Sequence, residues 1–104
     1  MKIRKILMIL LILTPFVLNA EKAIVVFYKS GCSYYIAENT MGYLLLEWFG
    51  GNDPTEGDTL VGDLNTFGMK DLYNLNSNSE TKVWIDDYML SKDSVLEKYY
   101  EKCN

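Results

Sequence analysis

The sequence predicts a mainly β protein, with a small curled antiparallel sheet or a five-stranded barrel that is followed by a C-terminal α-helix. Two observations lead to this prediction. Short runs of β-branched and aromatic residues recur along the chain, and clusters of Gly, Asn and Asp that favour turns separate them. A helix-start pattern follows the last of these runs, so the strands and the helix are segregated along the chain.

The first strand is predicted over residues 23–28, which read AIVVFY and are followed by Lys29-Ser-Gly. Because both of its faces are apolar, we expect this strand to be covered on both sides. Residues 32–41 are ambiguous, since they fit either a short strand or an irregular link that ends in a turn.

The stretch from residue 42 to residue 64 is predicted to be the central hairpin of the scaffold. Residues 43–49 are too few for a helix and end at a Gly-Gly pair, which favours a strand. The polar residues 52–58 then form the turn, and residues 59–64 form the second strand.

Two further strands are predicted over residues 69–75 and 81–88, with the polar turn 76–79 between them. Five short strands with short connections are typical of a small barrel. The expected architecture is therefore OB-like or SH3-like, with the helix added at the C-terminus.

The final element is predicted to be a helix that begins after Ser91, a favourable N-cap residue. Asp93 would lie in the first turn, where the helix dipole favours a negative charge. Val95, Tyr99 and Cys103 recur at a spacing of four, which predicts that Cys103 lies on the buried face of the helix.

Residues 1–20 have the pattern of a secretory signal peptide. A basic segment precedes the apolar run 6–13, and the small residue Ala20 stands at the expected cleavage position. We therefore expect export, most simply to a bacterial periplasm or else to the extracellular medium. A single domain over residues 21–104 would remain, with no membrane anchor after cleavage. A retained N-terminal anchor is the alternative.

Charge and composition narrow the possible functions. Removal of residues 1–20 changes the net charge from −4 to −7, because three basic residues are lost. An acidic surface repels phosphate, which argues against nucleic acid and favours a cationic protein or peptide as partner. The chain contains no His, and so lacks the Ser-His-Asp triad and the commonest zinc ligand. We therefore predict a protein that is not an enzyme and has no cofactor.

Both cysteines, Cys32 and Cys103, lie within residues 21–104. Two cysteines in an exported chain predict one disulfide, here between the end of the first strand and the helix. A bridge that closes a loop of about 70 residues would stabilise the fold by about 4 kcal/mol. Two free thiols are the alternative.

Two segments resemble the opening and closing parts of thioredoxin and glutaredoxin domains: residues 24–35, IVVFYKSGCSYY, and residues 82–100, KVWIDDYMLSKDSVLEKYY. The resemblance implies a degenerate thioredoxin-like α/β fold with Cys32 as a nucleophilic thiolate at a helix N-terminus. Tyr35 replaces the second Cys of the family motif, and Lys82 stands where the family has its cis-proline.

The polar turn contains three carboxylates, Asp53, Glu56 and Asp58. Calcium sites use several oxygen ligands on a Gly-containing loop, but this spacing does not match the EF-hand pattern and Pro54 interrupts it. We therefore predict a solvated turn and no metal site.

Aromatic residues are unusually frequent, with eight Tyr and two Trp. A small barrel cannot bury all of them, and exposed Tyr and Trp are favoured anchors in interfaces. The candidate binding surface consists of five aromatic residues on predicted strands: Tyr43, Trp48, Tyr73, Trp84 and Tyr88. The alternative is that they fill the core.

The leading hypothesis is an exported binding domain, for example an acidic inhibitor or immunity-type protein that neutralises a cationic enzyme. Charge would steer the encounter and aromatic anchors would hold the complex. Two alternatives remain open: a degenerate redox protein that uses Cys32, and a structural subunit of an envelope assembly.

Overall fold

The computed structural model describes residues 21–103, which form six strands and one helix. In chain order these are β1 (Glu21–Phe27), β2 (Tyr34–Asn39), β3 (Gly42–Gly51), β4 (Thr59–Gly62), β5 (Gly68–Asn74), β6 (Ser79–Leu90) and α1 (Lys92–Lys102). The signal-peptide prediction concerns residues 1–20, which lie outside the described residues. Within residues 21–103, no helix is both long and apolar enough to span a bilayer.

The six strands form a closed antiparallel barrel in the order β1-β2-β3-β6-β5-β4, with β4 paired to β1. Two three-stranded meanders, β1-β2-β3 and β4-β5-β6, are joined by a crossover that brings β4 beside β1. This arrangement is a Greek key, with four strands in the spatial order 4-1-2-3. The predicted small barrel with a C-terminal helix is confirmed. The strand count is six because the ambiguous segment forms β2.

The predicted central hairpin over residues 42–64 is wrong, because β3 and β4 do not pair with each other. Residues 52–58 instead cross one end of the barrel and bond to distant strands. Asn52 donates its backbone N–H to the Glu80 carbonyl at 2.8 Å, and Gly57 donates to the Val25 carbonyl at 2.8 Å. These long-range bonds satisfy the loop backbone, so the segment is a crossover.

The apolar side chains form two clusters on opposite sides of the sheet. The first fills the barrel interior and consists of Ala23, Val25, Tyr35, Ala37, Leu44, Leu46, Leu60, Leu64, Leu72, Val83 and Ile85. The second lies outside the barrel under α1 and consists of Ile36, Leu45, Val95 and Tyr99. Strands β2 and β3 are therefore buried on both faces where α1 covers them, whereas β5 and β6 are covered on the inside only. Ile24 and Val26 on the outer face of β1 are exposed, so the expected cover on both sides of this strand is wrong.

Helix α1 begins where the sequence predicts. The Ser91 side chain caps it by accepting the Ser94 backbone N–H at 3.2 Å, and Asp93 lies in the first turn. The Lys98–Asp87 ion pair, at 3.5 Å, ties the helix to β6. Cys103 is the C-cap residue, and it is partly buried against the cluster under α1, on the side that the spacing predicts.

The alternative thioredoxin-like α/β fold is wrong. Its parallel strands and intervening helices are absent from residues 21–103, where each of the paired strands is antiparallel to its neighbours. Cys32 lies in the link between β1 and β2, and no helix begins there. The segment after Cys32 forms β2 because Tyr35 fills the barrel interior while Ile36 packs against α1.

Candidate functional site

The disulfide between Cys32 and Cys103 is confirmed, and the two Cα atoms lie 5.7 Å apart. It joins the β1–β2 link to the C-terminal end of α1. The Cys32 Sγ also accepts the Tyr34 backbone N–H at 3.4 Å. A disulfide is compatible with an oxidising compartment. Its position explains how the helix is held against β2 and β3.

The five aromatic residues of the predicted surface do not lie on one face. Trp48 and Tyr88 are half-buried and pack against the barrel interior. Tyr43 is half-buried against the cluster under α1. Tyr73 and Trp84 point outwards from β5 and β6 and are 40% and 39% exposed. Of the five predicted residues, Tyr73 and Trp84 are therefore the two that are exposed on the side of the barrel that α1 leaves uncovered.

Trp84 lies in a row of outward side chains that crosses four strands. Met69 of β5 pairs with Trp84 of β6, Trp84 pairs with Glu47 of β3, and Glu47 pairs with Tyr34 of β2. Directly opposed residues share a face and have Cβ atoms about 5 Å apart. We call these four residues the Trp84 row. It combines an exposed indole with a carboxylate and a flexible thioether.

The Tyr34 end of the Trp84 row meets α1. Burial raises the pKa of Tyr34 to about 12, and the neighbouring carboxylates of Glu47 and Asp86 add to the shift. The Lys102 ammonium lies 5.6 Å from the Tyr34 ring centroid. The phenol is therefore neutral at physiological pH.

A second outward group lies further along the same two strands. Tyr73 of β5 is directly opposite Glu80 of β6, and both are exposed. The Asp71–Lys82 ion pair, at 2.9 Å, lies between this pair and Trp84. The outer face of β5 and β6 therefore has two exposed aromatic side chains, each beside a carboxylate. The Asp71–Lys82 ion pair lies between them.

The carboxylates of the crossover are held by the protein itself. Tyr28 donates its hydroxyl to Asp53 at 2.7 Å and its backbone N–H to Glu56 at 2.9 Å. Burial, and then the bond to Asp53, raise the pKa of Tyr28 above its ordinary value. These groups line an open cleft of about 590 Å³ beside Cys32. Among residues 21–103, no three potential ligand side chains are grouped so as to hold a metal ion.

Asp58 has a different structural role at the other end of the crossover. It accepts the Asn74 side-chain amide at 2.9 Å and the Thr55 backbone N–H at 3.0 Å. Although burial opposes the shift, these bonds lower the pKa of Asp58. The three carboxylates of the turn thus act as anchors of the crossover.

An apolar groove of about 530 Å³ lies over β1, on the side of the barrel away from Trp84. Ile24, Val26 and Leu75 are exposed along it, and Lys22 and Glu38 lie at its rim. The rim carries charges of both signs, so the groove has no electrostatic preference for one class of partner. The outer face of β5 and β6 is the better candidate because its aromatic residues lie beside carboxylates.

The fold and this face define a small disulfide-linked barrel with an exposed, aromatic and acidic sheet surface. Comparison of the chain with protein-family models, curated proteins and solved structures finds no match. Sequence reasoning identified Tyr73 and Trp84 as candidates but missed Met69, Glu47 and Glu80. The available signal was Glu47, the one charged residue within the apolar run 43–49.

Proposed function

We propose that this chain is an exported binding domain of the bacterial periplasm that docks on a cationic protein. The observation that carries the proposal is the Trp84 row, an outward aromatic and acidic row whose Met69 and Trp84 end lies on the side of the barrel that α1 leaves uncovered. Aromatic residues are enriched among the side chains that dominate binding energies. Charged groups at the rim mainly set the association rate and the specificity.

Three properties support this function. Residues 21–104 carry a net charge of −7, which attracts a basic partner over distances near the Debye length. The barrel is closed, so its strands offer a partner their outward side chains and no free sheet edge. The disulfide suits an oxidising compartment. A neutralising inhibitor or immunity-type protein is the form of binding domain that fits these properties.

Photo-crosslinking in the source cell tests the proposal. A photoreactive phenylalanine analogue is placed at position 84 or position 73, and at Tyr100 of α1 or Ile24 of β1 as exposed controls away from the row. We expect adducts of one common mass from positions 84 and 73, weakened by high salt during capture, and none from the controls. The partner identified by mass spectrometry should be basic.

Two outcomes would contradict this function. The absence of adducts at low ionic strength would show that no partner binds this face in the cell. Adducts with the mass of a second copy of this chain would instead support a subunit of an envelope assembly. The redox alternative depended on a thioredoxin-like fold, and the barrel is not such a fold. Its proposed nucleophile, Cys32, is joined to Cys103 in a disulfide.

A further inference from the structure

The outer face of β5 and β6 contains two aromatic–carboxylate pairs of the same kind. Trp84 lies beside Glu47, and Tyr73 lies beside Glu80. A cation placed over an aromatic ring within about 6 Å of its centroid is attracted by the ring quadrupole. A carboxylate beside the ring adds an ionic contact, so each pair has the chemistry to bind one guanidinium or ammonium group.

The two pairs have a defined spacing. Trp84 and Glu80 are four residues apart on β6, and a strand rises about 3.3 Å per residue, so the pairs are about 13 Å apart. Tyr73 lies on β5 and Trp84 on β6, and the axes of these neighbouring strands are about 4.8 Å apart. The side chains that lie between the pairs on these strands, Asp71 and Lys82, already neutralise each other.

We propose that these two pairs form a recognition site for a basic polypeptide segment with two cationic side chains about 13 Å apart. Arginine suits the site best, because its planar guanidinium stacks on an aromatic ring and donates to a carboxylate at the same time. This inference rests on the proposed function and names the chemistry of the partner. In an extended segment the two arginines would be separated by four positions, which gives the same 13 Å.

Charge complementarity selects this occupant. Within residues 21–103, two carboxylates of the site form no ion pair: the half-buried Glu47 and the exposed Glu80. Lys82 is the cation within the site, and Asp71 holds it. An anionic ligand such as nucleic acid would place its phosphates beside these carboxylates, which is unfavourable.

Nuclear magnetic resonance with synthetic peptides tests this site. The chain contains two Trp, so a ¹⁵N correlation spectrum of residues 21–104 shows two indole N–H signals, which a Trp84→Phe variant assigns. The probe is a nine-residue Thr/Ser peptide with Arg at its third and seventh positions. Control peptides carry Arg at the third and fifth positions, or Glu in place of both Arg residues.

We expect the Trp84 indole signal to shift on titration with the first peptide, while the half-buried Trp48 signal stays in place. The Arg-spacing control should bind about 3- to 10-fold more weakly, since it reaches one pair at a time. The Glu peptide should not bind. Equal shifts with both Arg spacings, or no shift with the first peptide at low salt, would overturn the inference.

Variants separate specific recognition from general charge attraction. Glu47→Gln and Glu80→Gln should each weaken peptide binding about 3- to 10-fold, and Trp84→Ala by a similar factor. Glu97→Gln and Glu101→Gln on α1 remove the same charge away from the site and should leave the affinity unchanged. Equal losses in all four Glu variants would show that net charge alone binds the peptide, which also overturns the inference.

The outcomes for the two proposals are distinguishable. If photo-crosslinking from position 84 captures a basic partner but the spaced Arg peptide does not bind, the proposed function stands and this recognition site fails. If the peptide binds with the expected spacing and crosslinking captures nothing, the site stands as a peptide-binding surface and the proposed cellular function fails.

Discussion

At the scale of single residues, Asn74 shows how one buried amide holds several loops. Its side chain is fully buried and donates to Asn52 Oδ1 at 2.7 Å and to Asp58 Oδ2 at 2.9 Å. Its Oδ1 accepts the Asn76 backbone N–H at 3.0 Å. The start and the end of the crossover and the β5–β6 turn therefore converge on this one side chain.

Asn74→Ala should lower the free energy of unfolding by about 3 kcal/mol, because it leaves buried polar groups without partners. Denaturant titration followed by circular dichroism gives the value. Asn39→Ala is the matched control, since Asn39 makes a single side-chain bond in the β2–β3 turn, to the Met41 backbone N–H. A loss as small as that of the control would show that water replaces the buried network.

The lowered pKa of Asp58 predicts an acid-sensitive contribution to stability. A carboxyl with a folded pKa below its unfolded value stabilises the fold above the unfolded pKa of about 4. This contribution is lost as the pH falls through the folded pKa. Asp58→Asn should therefore reduce stability by about 1–2 kcal/mol at pH 7 and show a smaller further loss between pH 4 and pH 2.

Unfolding measured from pH 7 to pH 2 checks the Asp58 prediction, with Glu101→Gln on the exposed end of α1 as the control. Asp63 contributes in the same direction, because its hydrogen bond to Lys70 lowers its pKa. Parallel pH profiles for wild type and Asp58→Asn would contradict the assignment.

At the scale of secondary structure, local patterns predicted those elements that have one covered face or a clear cap. Ser91 correctly predicted the start of α1, because N-capping depends on residues that are adjacent in sequence. Strand β2 was ambiguous because Tyr35 and Ile36 are buried on opposite faces, so the apolar–polar alternation of a half-buried strand is missing. The wrong hairpin has another cause: the partners of residues 52–58 lie far along the chain, and turn chemistry does not reveal them.

Gly51 lies where β3 leaves the barrel, and a close backbone contact requires glycine there. Its φ is +72°, and an added Cβ would lie 2.7 Å from the Glu80 carbonyl oxygen. Gly57 is the matched control, with φ of +97° and open space around it. Gly51→Ala should cost about 2–3 kcal/mol more than Gly57→Ala, since both strain the backbone but only the first creates a clash.

Thermal unfolding of the two glycine variants measures this difference. The same assay on the double variant checks that the two effects add, as expected for separate sites. Equal destabilisation by the two substitutions would show that the strand end shifts freely, and that the close approach to β6 does not constrain the barrel.

The disulfide determines how firmly α1 is attached to the barrel. Cys32 and Cys103 are separated by 71 positions, and the chain-entropy model gives about 4 kcal/mol for such a loop. The double variant Cys32→Ser/Cys103→Ser should lose about this amount and remain folded, because Val95 and Tyr99 still bury their side chains against the sheet.

Denaturant unfolding with and without reductant measures the disulfide contribution. Wild type with reductant should match the double variant without it, and reductant should leave the double variant unchanged. A wild-type protein whose stability is indifferent to reductant would contradict the structural role of the bridge.

At the scale of the whole molecule, the packing of α1 on one side of the closed barrel gives residues 21–103 two different outer surfaces. Helix α1 covers the outer faces of β2 and β3, and the outward side chains of β5 and β6 are exposed. The sequence offered five aromatic candidates, of which Tyr73 and Trp84 are exposed. It did not group Trp84 with Glu47, because they belong to strands far apart in sequence and meet only through the β3–β6 register. The grouping of these outward side chains is thus set by the strand order and register, which the local residue pattern does not show.

The last prediction concerns maturation of the chain. Strand β1 begins at Glu21, whose carboxylate accepts the Leu64 backbone N–H at 3.1 Å and the Asn65 side-chain amide. Cleavage after Ala20 would keep these bonds, and cleavage further along would remove them and loosen the β1–β4 closure. N-terminal sequencing of the protein from the cell envelope should therefore begin at Glu21. Ala20→Arg should accumulate uncleaved precursor, since the cleavage position requires a small residue, whereas Lys22→Arg should be processed normally. Unprocessed wild-type chain with intact residues 1–20 would instead identify a retained anchor and place the barrel at the membrane surface.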